Sequence, residues 1–224
     1  MLGAVLWDMD GTLVDSEEYH WLSWRDTMEA EGIPITHEQF MEGFGQRNDT
    51  ILARWLGPDA PPERVQRIGD TKEELYRKLL REGGLAPLSG AAEWVKHLHH
   101  EGWAQAIASS APRANVTAVL EVIQLGGCFQ AIVSAEDVTK GKPDPQVFLT
   151  AASRLGIPPA QCIVVEDAPA GVEAARRAGM RSIGVRRNGP PLAADLAITS
   201  LADLPPIAPL LADAHGAAKA SDGG

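Results

Sequence analysis

Short apolar runs rich in β-branched residues recur along the whole length of the chain. They are AVLW (4–7), WAQAIA (103–108), AIVS (131–134), CIVV (162–165), RSIGV (181–185) and LAIT (196–199). Because these runs lack the polar alternation of a half-exposed strand, they predict strands of a parallel sheet that is buried on both faces.

Segments with helical patterns separate most of these runs. SGAAEWVKHLHHEG starts at Ser89, which we predict to be the N-cap, and ends at Gly102. PRANVTAVLEVIQLGG places Pro112 early and Gly126 at its end, and PDPQVFLTAASRLG and PAGVEAARRAG have the same design. Strands and helices that alternate at this spacing predict βαβ units and a right-handed parallel sheet, so the fold class is α/β.

Residues 15–85 interrupt this alternation with helical patterns alone. The patterns are EEYHWLSWRDTMEAEG, THEQFMEGF, NDTILARWLG and PERVQRIGDTKEELYRKLLREGG. We therefore predict a helical insertion at 15–85, between the first strand and the next. The sheet core would take 1–14 and 86–212, and the small polar tail, 213–224, is expected to be disordered.

Composition and charge limit the binding partners and the cellular compartment that we expect for this chain. The 224 residues carry a net charge of −10, which argues against nucleic acid or an anionic membrane as a partner but not against a small anion bound by local basic groups. Cys128 and Cys162 lack CxxC spacing and are expected to be small apolar core residues in a reducing compartment. With neither a signal peptide nor a long apolar segment visible, we expect a cytoplasmic protein.

Polar residues that could take part in catalysis or binding end the apolar runs or begin the helices that follow them. They are Asp8 and Asp10, Ser109 and Ser110, Lys142, and Glu166 and Asp167. Strand carboxyl ends of an open parallel sheet converge on one crevice, so four acidic groups would meet there and repel one another. A hard cation resolves this repulsion, and Mg²⁺ takes oxygen ligands and shares its coordination shell with phosphate.

Four stretches resemble, in order, the four motifs of the haloacid dehalogenase superfamily. They are DMDGTLVD, the strand-ending Ser109, GKPDPQVF and VVEDAPAGVEAARRAGM, and the resemblance covers nearly all of residues 1–204. The helical insertion resembles that superfamily's cap. Within it, EYH at 18–20 and Trp24 resemble the β-phosphoglucomutase and sugar-phosphate phosphatase branch. The resemblance implies a Rossmann-like core with an inserted helical cap.

The resemblance also implies roles for the strand-end residues. Asp8 would attack phosphorus and form an aspartyl-phosphate, and Asp10 would protonate the leaving oxygen and then act as a base. The Mg²⁺ ligands would be Asp8, the backbone carbonyl of Asp10, and Asp167, with Glu166 assisting. Phosphoryl oxygens would be bound by Ser109 and Lys142.

Several of these residues have a second interpretation. Ser109 or Ser110 could simply cap the helix that starts near Pro112, and Ser110 is the stronger candidate for that. Lys140 could replace Lys142, although the Gly-Lys-Pro context favours Lys142. Glu166 could accept hydrogen bonds near the metal rather than bind it.

Three candidates lie in the helical insertion. His20 is either a packing residue or a partner of Asp10 when the cap closes. Arg47 either contacts the distal end of the substrate or is a solvated arginine at a helix start, and Lys72 is a similar candidate. His97, His99 and His100 lie at a helix end, where the helix dipole favours histidine, so we do not predict a metal site there.

These observations predict a Mg²⁺-dependent phosphatase, expected to be monomeric, that acts on a small phosphorylated sugar or related metabolite. The first alternative is a β-phosphoglucomutase, which the EYH segment supports, although Thr12 after Gly11 is more common in phosphatases. A haloacid dehalogenase is disfavoured because halide displacement needs neither Asp10 nor a hard cation. A non-catalytic binding protein on the same fold would be expected to have a damaged motif, and all four are intact.

Overall fold

A computed structural model describes residues 3–186 and 189–211, and within those residues the chain forms one six-stranded sheet. The strands are β1 (Ala4–Trp7), β2 (Ala104–Ala108), β3 (Ala131–Val133), β4 (Cys162–Glu166), β5 (Arg181–Val185) and β6 (Leu196–Ile198). Their spatial order is β3-β2-β1-β4-β5-β6, and every neighbouring pair is parallel. The chain therefore runs from β1 to β2 and β3 on one side and then crosses to β4 on the other side of β1, which creates a crevice at the carboxyl end of β1.

Both faces of this sheet are buried, as the apolar runs predict. Val5 and Trp7 of β1 belong to one hydrophobic cluster, whereas Ala4 and Leu6 belong to another. Successive side chains of a strand point to opposite faces, so the two clusters cover the two sides of the sheet. The predicted α/β fold with a parallel, Rossmann-like sheet is confirmed.

The helix before β2 and the helices after β2, β3 and β4 close these clusters. They are α5 (Ala91–His100), α6 (Arg113–Ile123), α7 (Gln146–Leu155) and α8 (Pro169–Arg177). Two predicted helix ends are wrong. The N-cap of α5 is Gly90 rather than Ser89, because φ there is +81° and a Cβ would lie 2.2 Å from the Ala202 nitrogen. Helix α6 ends before Gln124, which adopts φ 56°, rather than at Gly126.

Four further helices lie between β1 and α5. They are α1 (Glu17–Ala30), α2 (His37–Met41), α3 (Asn48–Leu56) and α4 (Pro62–Gly83). Trp24, Met28 and Leu52 belong to a separate hydrophobic cluster formed within these helices. Tyr76 and Leu80 of α4 instead belong to one of the sheet clusters, so α4 joins the two parts of the molecule.

The inserted helices of the predicted fold class are thus present. The division at residues 15 and 85 stays a prediction, and the tail at 213–224 lies outside the described residues. Cys162 is buried in β4, which raises the pKa of its thiol to about 11, and Cys128 is also free. None of the described helices is both long and apolar enough to span a membrane.

Candidate active site

A cavity of about 350 Å³ lies between the carboxyl ends of the strands and the inserted helices. We call its two sides the strand wall and the helix wall. The strand wall comprises Asp8, Asp10, Ser109, Ser110, Lys142, Glu166 and Asp167. The helix wall comprises His20, Trp24, Phe40, Phe44, Gln46, Asn48, Ile51, Lys72 and Glu73. The structure therefore brings together every predicted site residue except Arg47.

The sheet itself positions the strand wall. Asp8 follows β1, and its N–H donates to the Val165 carbonyl at 3.0 Å. Ser109 follows β2, and its N–H donates to the Val133 carbonyl at 3.0 Å. These bonds continue the parallel ladder one residue beyond each strand, so the backbone fixes where both side chains begin.

The turn after β1 brings Asp10 and Asp167 to the same edge. Gly11 has φ +90°, and its N–H donates to the Val14 carbonyl at 2.8 Å. A Cβ on Gly11 would lie 2.1 Å from an oxygen of Asp167. Glycine is required here both for its backbone conformation and for the close approach of that carboxylate.

Lys142 is the central cation of the strand wall. Its Nζ lies 2.5 Å from Oδ1 of Asp8 and 2.6 Å from Oε1 of Glu166. Burial alone would lower the pKa of Lys142, but the two carboxylates outweigh burial and raise it. Lys142 is therefore a permanent positive charge beside Asp8, whereas Lys140 is exposed and lies 3.9 Å from Asp144.

Glu166 already has protein donors on both of its oxygens. Oε1 accepts from Lys142, and Oε2 accepts from the backbone N–H groups of Asp167 and Ala168, each at 2.9 Å. A Cβ on Gly171 would lie 1.9 Å from this carboxyl group, so Gly171 leaves the space it occupies. These contacts favour a role for Glu166 in supporting a metal site through hydrogen bonds.

The acids of the strand wall are short of positive charge. Oxygens of Asp8, Glu166 and Asp167 lie within 4.8 Å of one another. Burial, together with Glu166 and Asp167, raises the pKa of Asp8 well above its usual value, and Lys142 offsets this only in part. Burial and Glu166 likewise raise the pKa of Asp167 to about 7. An oxygen-liganded divalent cation fits these residues, because it would favour the ionised carboxylates.

Asp10 belongs to a second network that reaches into the helices. Its Oδ1 accepts a hydrogen bond from Ser16 Oγ and lies 3.5 Å from Nε2 of His20. His20 stacks on Tyr76, with ring centroids 4.1 Å apart, and its Nδ1 lies 2.9 Å from Lys72 Nζ. Because an ammonium group only donates, Nδ1 accepts, and the remaining ring proton is on Nε2, facing Asp10.

This network sets the protonation state of Asp10. Burial raises the pKa of Asp10, but the hydrogen bond from the His20 N–H, with smaller contributions from Ser16 and Lys72, lowers it overall. Asp10 is therefore a carboxylate at rest, which is the form that accepts a proton.

Lys72 forms a buried ion pair that sequence reasoning missed. Its side chain is 1% exposed, and its Nζ donates to Oε1 of Glu73 at 2.9 Å. Asn48 Nδ2 donates to the same oxygen at 2.6 Å, and Asn115 Nδ2 donates to Oε2. One signal was available: Lys72 is four residues from both Ile68 and Tyr76, on the apolar face of the α4 pattern.

Arg47 is placed differently from the prediction. Its guanidinium donates to the carbonyls of Ala135 at 2.6 Å and Val138 at 3.2 Å, and it pairs with Asp49 at 3.1 Å. It joins the start of α3 to the segment after β3 and is not among the residues that line the cavity. Ser109, by contrast, both lines the cavity and accepts a hydrogen bond from the Ala111 N–H at 3.0 Å.

Comparisons with known proteins agree with this geometry. The family profile described as haloacid dehalogenase-like hydrolase matches residues 5–185. Beta-phosphoglucomutase of Bacillus subtilis (strain 168) is 33% identical over 210 residues, 90% of this chain and 91% of that protein. Hexitol phosphatase B of Escherichia coli (strain K12) is 30% identical over 213 residues, 90% of this chain and 93% of that protein.

A solved structure matches most of the chain. It is a variant of CbbY from Rhodobacter sphaeroides in complex with xylulose-(1,5)bisphosphate. The TM-score is 0.84 at 28% sequence identity, and the match covers 91% of this chain and 96% of the other. The sheet with inserted helices is therefore shared with a protein that was solved with a phosphorylated sugar bound.

Proposed function

The chain belongs to the haloacid dehalogenase-like hydrolase family, and on that premise we propose that it is a Mg²⁺-dependent phosphatase for small phosphorylated sugars or related metabolites. Relatives that are named as phosphatases and mutases support a phosphoryl-transfer enzyme. The observation that carries the proposal is that Asp8, Asp10 and Lys142 line one cavity, with the Lys142 ammonium 2.5 Å from Asp8.

In the proposed first step, an oxygen of Asp8 attacks phosphorus as the bond to the leaving oxygen breaks. Asp10, a carboxylate at rest, first takes up a proton from water because the negative phosphoryl group beside it raises its pKa, and it then gives that proton to the leaving oxygen. Lys142 offsets charge on the transferring group, and the Ser109 hydroxyl donates to a phosphoryl oxygen.

In the proposed second step, Asp10 removes a proton from water, and the water oxygen attacks the phosphorus of the aspartyl-phosphate. The bond to Asp8 breaks, phosphate leaves, and the Asp8 carboxylate is regenerated. Mg²⁺ would be held by Asp8, the Asp10 carbonyl and Asp167, with Glu166 assisting, and it supplies positive charge for the phosphoryl oxygens. We assign His20 to hold Asp10 in place from the helix wall.

The second candidate is a mutase that uses the same aspartates. It differs only in the acceptor, which is a sugar hydroxyl rather than water. Two observations favour it: the 33% identity to beta-phosphoglucomutase, and the His20–Asp10 contact that closes the helix wall over the strand wall. In this reading the cavity would exclude water from the aspartyl-phosphate.

One assay separates the two candidates. Purified protein is incubated with Mg²⁺ and β-glucose 1-phosphate, primed with a trace of the 1,6-bisphosphate, and free phosphate and glucose 6-phosphate are followed together. Phosphate release without isomerisation supports the phosphatase, and other sugar phosphates are then compared. Glucose 6-phosphate that forms without matching phosphate release makes the protein a mutase.

We extend the proposal to the organisation of the protein. The core would comprise 1–14 and 86–212 and the cap 15–85, which the separate cluster containing Trp24 and Leu52 supports. We propose a cytoplasmic monomer whose partner is a phosphorylated small molecule, and the net charge of −10 supports the expectation that it binds neither nucleic acid nor an anionic membrane. Mass measurement in solution tests the monomer.

A further inference from the structure

The helix wall opposite the proposed phosphoryl site contains a buried carboxylate, Glu73. Resting on the proposed function, we infer that Glu73 is a specificity-determining residue that restricts the site to monophosphates with a neutral, polyhydroxylated remainder. It does so by neutralising Lys72, the cation that would otherwise attract a second phosphate group. Glu73 would thereby distinguish the monophosphate substrate of a phosphatase from the bisphosphate intermediate that a mutase must hold.

The cations of the cavity are already paired. Among the described residues that line it, the basic side chains are Lys142, Lys72 and His20. Lys142 lies against Asp8 and Glu166 on the strand wall. Lys72 directs two of its three N–H donors to Glu73 and to His20. A single phosphoryl group at the strand wall would have Lys142 and the metal, whereas a second one at the helix wall would face a neutral ion pair.

Arg47 does not supply the missing charge. It adjoins two residues of the helix wall, Gln46 and Asn48, but its guanidinium is committed elsewhere. It donates to two backbone carbonyls after β3 and pairs with Asp49. Its recruitment by a distal phosphate would break hydrogen bonds that join the helices to the sheet.

Hydrogen bonds fix the orientation of the Glu73 carboxylate. Its donors come from three helices: Asn48 from α3, Lys72 from α4 and Asn115 from α6. Asn115 is completely buried and is itself oriented by Arg77, which donates to its Oδ1 at 2.9 Å. A dianionic phosphate at the helix wall would therefore lose hydrating water without gaining a net positive charge, because Glu73 stays paired with Lys72.

The rest of the helix wall suits a neutral sugar. Trp24, Phe40 and Phe44 provide aromatic surface on which the C–H faces of a polyol or sugar ring can pack. Gln46 and Asn48 provide amides, which donate to and accept from hydroxyl groups. The third Lys72 N–H can likewise donate to a hydroxyl without the need for a countercharge.

Binding of matched ligand pairs tests this inference separately from turnover. Affinities are measured by calorimetry with Mg²⁺ in the full-length Asp8→Asn protein, which holds ligands without hydrolysing them. The pairs are glucose 1-phosphate, glucose 6-phosphate, fructose 6-phosphate and mannitol 1-phosphate, each compared with its own bisphosphate. We expect at least one monophosphate to bind about tenfold or more tightly than its bisphosphate, because the second phosphate group would lose water without gaining a net countercharge.

Glu73→Gln in the same background should reduce that preference by about tenfold, because it frees the charge of Lys72. Glu74→Gln, a change to an exposed neighbour on the same helix, is the matched control and should keep the preference. The ratio of the monophosphate affinity to the bisphosphate affinity does not respond to a general loss of stability. The same ratio measured in Asp8→Asn alone tests the inference without any substitution at position 73.

Equal or tighter binding of the bisphosphates in Asp8→Asn would overturn the inference. Failure of every monophosphate to bind would also overturn it, because the neutral polyhydroxylated remainder would then be the wrong class. An unchanged preference in Glu73→Gln would remove Glu73 as the determinant. Phosphate release by the wild-type protein is a separate readout, so failure of the proposed function would be seen there and not in the ratio.

Discussion

The strand wall and the helix wall of the cavity handle charge in opposite ways. On the strand wall, three carboxylates share one lysine, and burial together with their mutual repulsion raises the pKa values of Asp8 and Asp167. On the helix wall, Lys72 and Glu73 form a one-to-one pair that is closed by two asparagines. One wall therefore needs an additional cation, whereas the other does not.

This difference fits the proposed separation of reaction from recognition. A surplus of buried negative charge is costly unless a cation and an anionic substrate complete it together, which suits a centre for phosphoryl transfer. A neutral wall of aromatic rings and amides suits a neutral part of the substrate. Asp10 connects the two, because it belongs to the strand wall but is held by Ser16 and His20.

The largest effect is expected from removal of the only lysine on the strand wall. Lys142→Met should reduce kcat/KM by about 10²–10³-fold, which is the usual cost of losing one electrostatic donor to the transition state. Lys140→Met is the matched control, because the Lys140 side chain is 74% exposed. Steady-state kinetics with a sugar phosphate measure both, and an equal loss in the two variants would contradict the assignment of Lys142.

The second-largest loss of activity is expected from a change in backbone geometry beside the strand wall. Gly11→Ala places a methyl group where Asp167 lies, and we expect a loss of about 10²-fold, typical of a misplaced catalytic group. Gly32→Ala is the control, because φ there is +74° and nothing lies within 4 Å of the added Cβ. Both variants should lose similar stability from backbone strain. If both lost activity equally, the contact with Asp167 would not matter.

A smaller loss of activity is expected from a change to His20, which connects the two walls through Asp10. His20→Phe keeps an aromatic ring against Tyr76 but removes the N–H that faces Asp10. A hydrogen bond to a charged group contributes about 1.5 kcal/mol, so kcat should fall about tenfold. An unchanged kcat together with a lower melting temperature would make His20 a packing residue only.

The smallest effect on activity is expected far from both walls. Arg154 and Arg113 donate to Asp137 and, despite its burial, lower the pKa of this carboxyl group. The arginine side chains are 37% and 45% exposed, so solvent screens the pairs. Asp137→Asn should lower Tm by about 2–4 °C, the result of about 1 kcal/mol, and leave kcat unchanged.

The pH dependence of that loss follows from the sign of the shift. A folded-state pKa below the unfolded value means that the carboxylate contributes stability above the unfolded pKa of about 3.9. This contribution is lost as the pH falls through the lower, folded-state pKa. The difference in Tm between wild type and Asp137→Asn should therefore be constant at neutral pH and shrink in acid. A difference that grew in acid would contradict the assignment.

The two walls also differ in how far the sequence predicts them. The positions of Asp8, Ser109 and Glu166 follow from strand ends, because parallel strands bring their carboxyl ends to one edge regardless of how side chains pack. The six strands were predicted to within one residue at each end. Lys142 was separated from Lys140 by its Gly-Lys-Pro context alone.

The helix wall depends on how four helices turn towards the sheet, which no local pattern specifies. Glu73 and Asn115 are 42 residues apart and meet only because α4 packs against α6. Arg47 is the opposite case. It lies between the cavity residues Gln46 and Asn48 in the sequence, yet its guanidinium points to Ala135 rather than into the cavity. Helix direction is a tertiary property, so the helix wall was less predictable than the strand wall.

The most direct test of the account is to locate the phosphoryl group during turnover. The protein is mixed with Mg²⁺ and a sugar phosphate that it hydrolyses, quenched in acid within the turnover time and digested for mass spectrometry. We predict phosphate on the peptide that contains Asp8, with neither label nor phosphate release in Asp8→Asn. Phosphate release that persists in Asp8→Asn, or a label that appears on another residue, would contradict the central claim that Asp8 is the nucleophile.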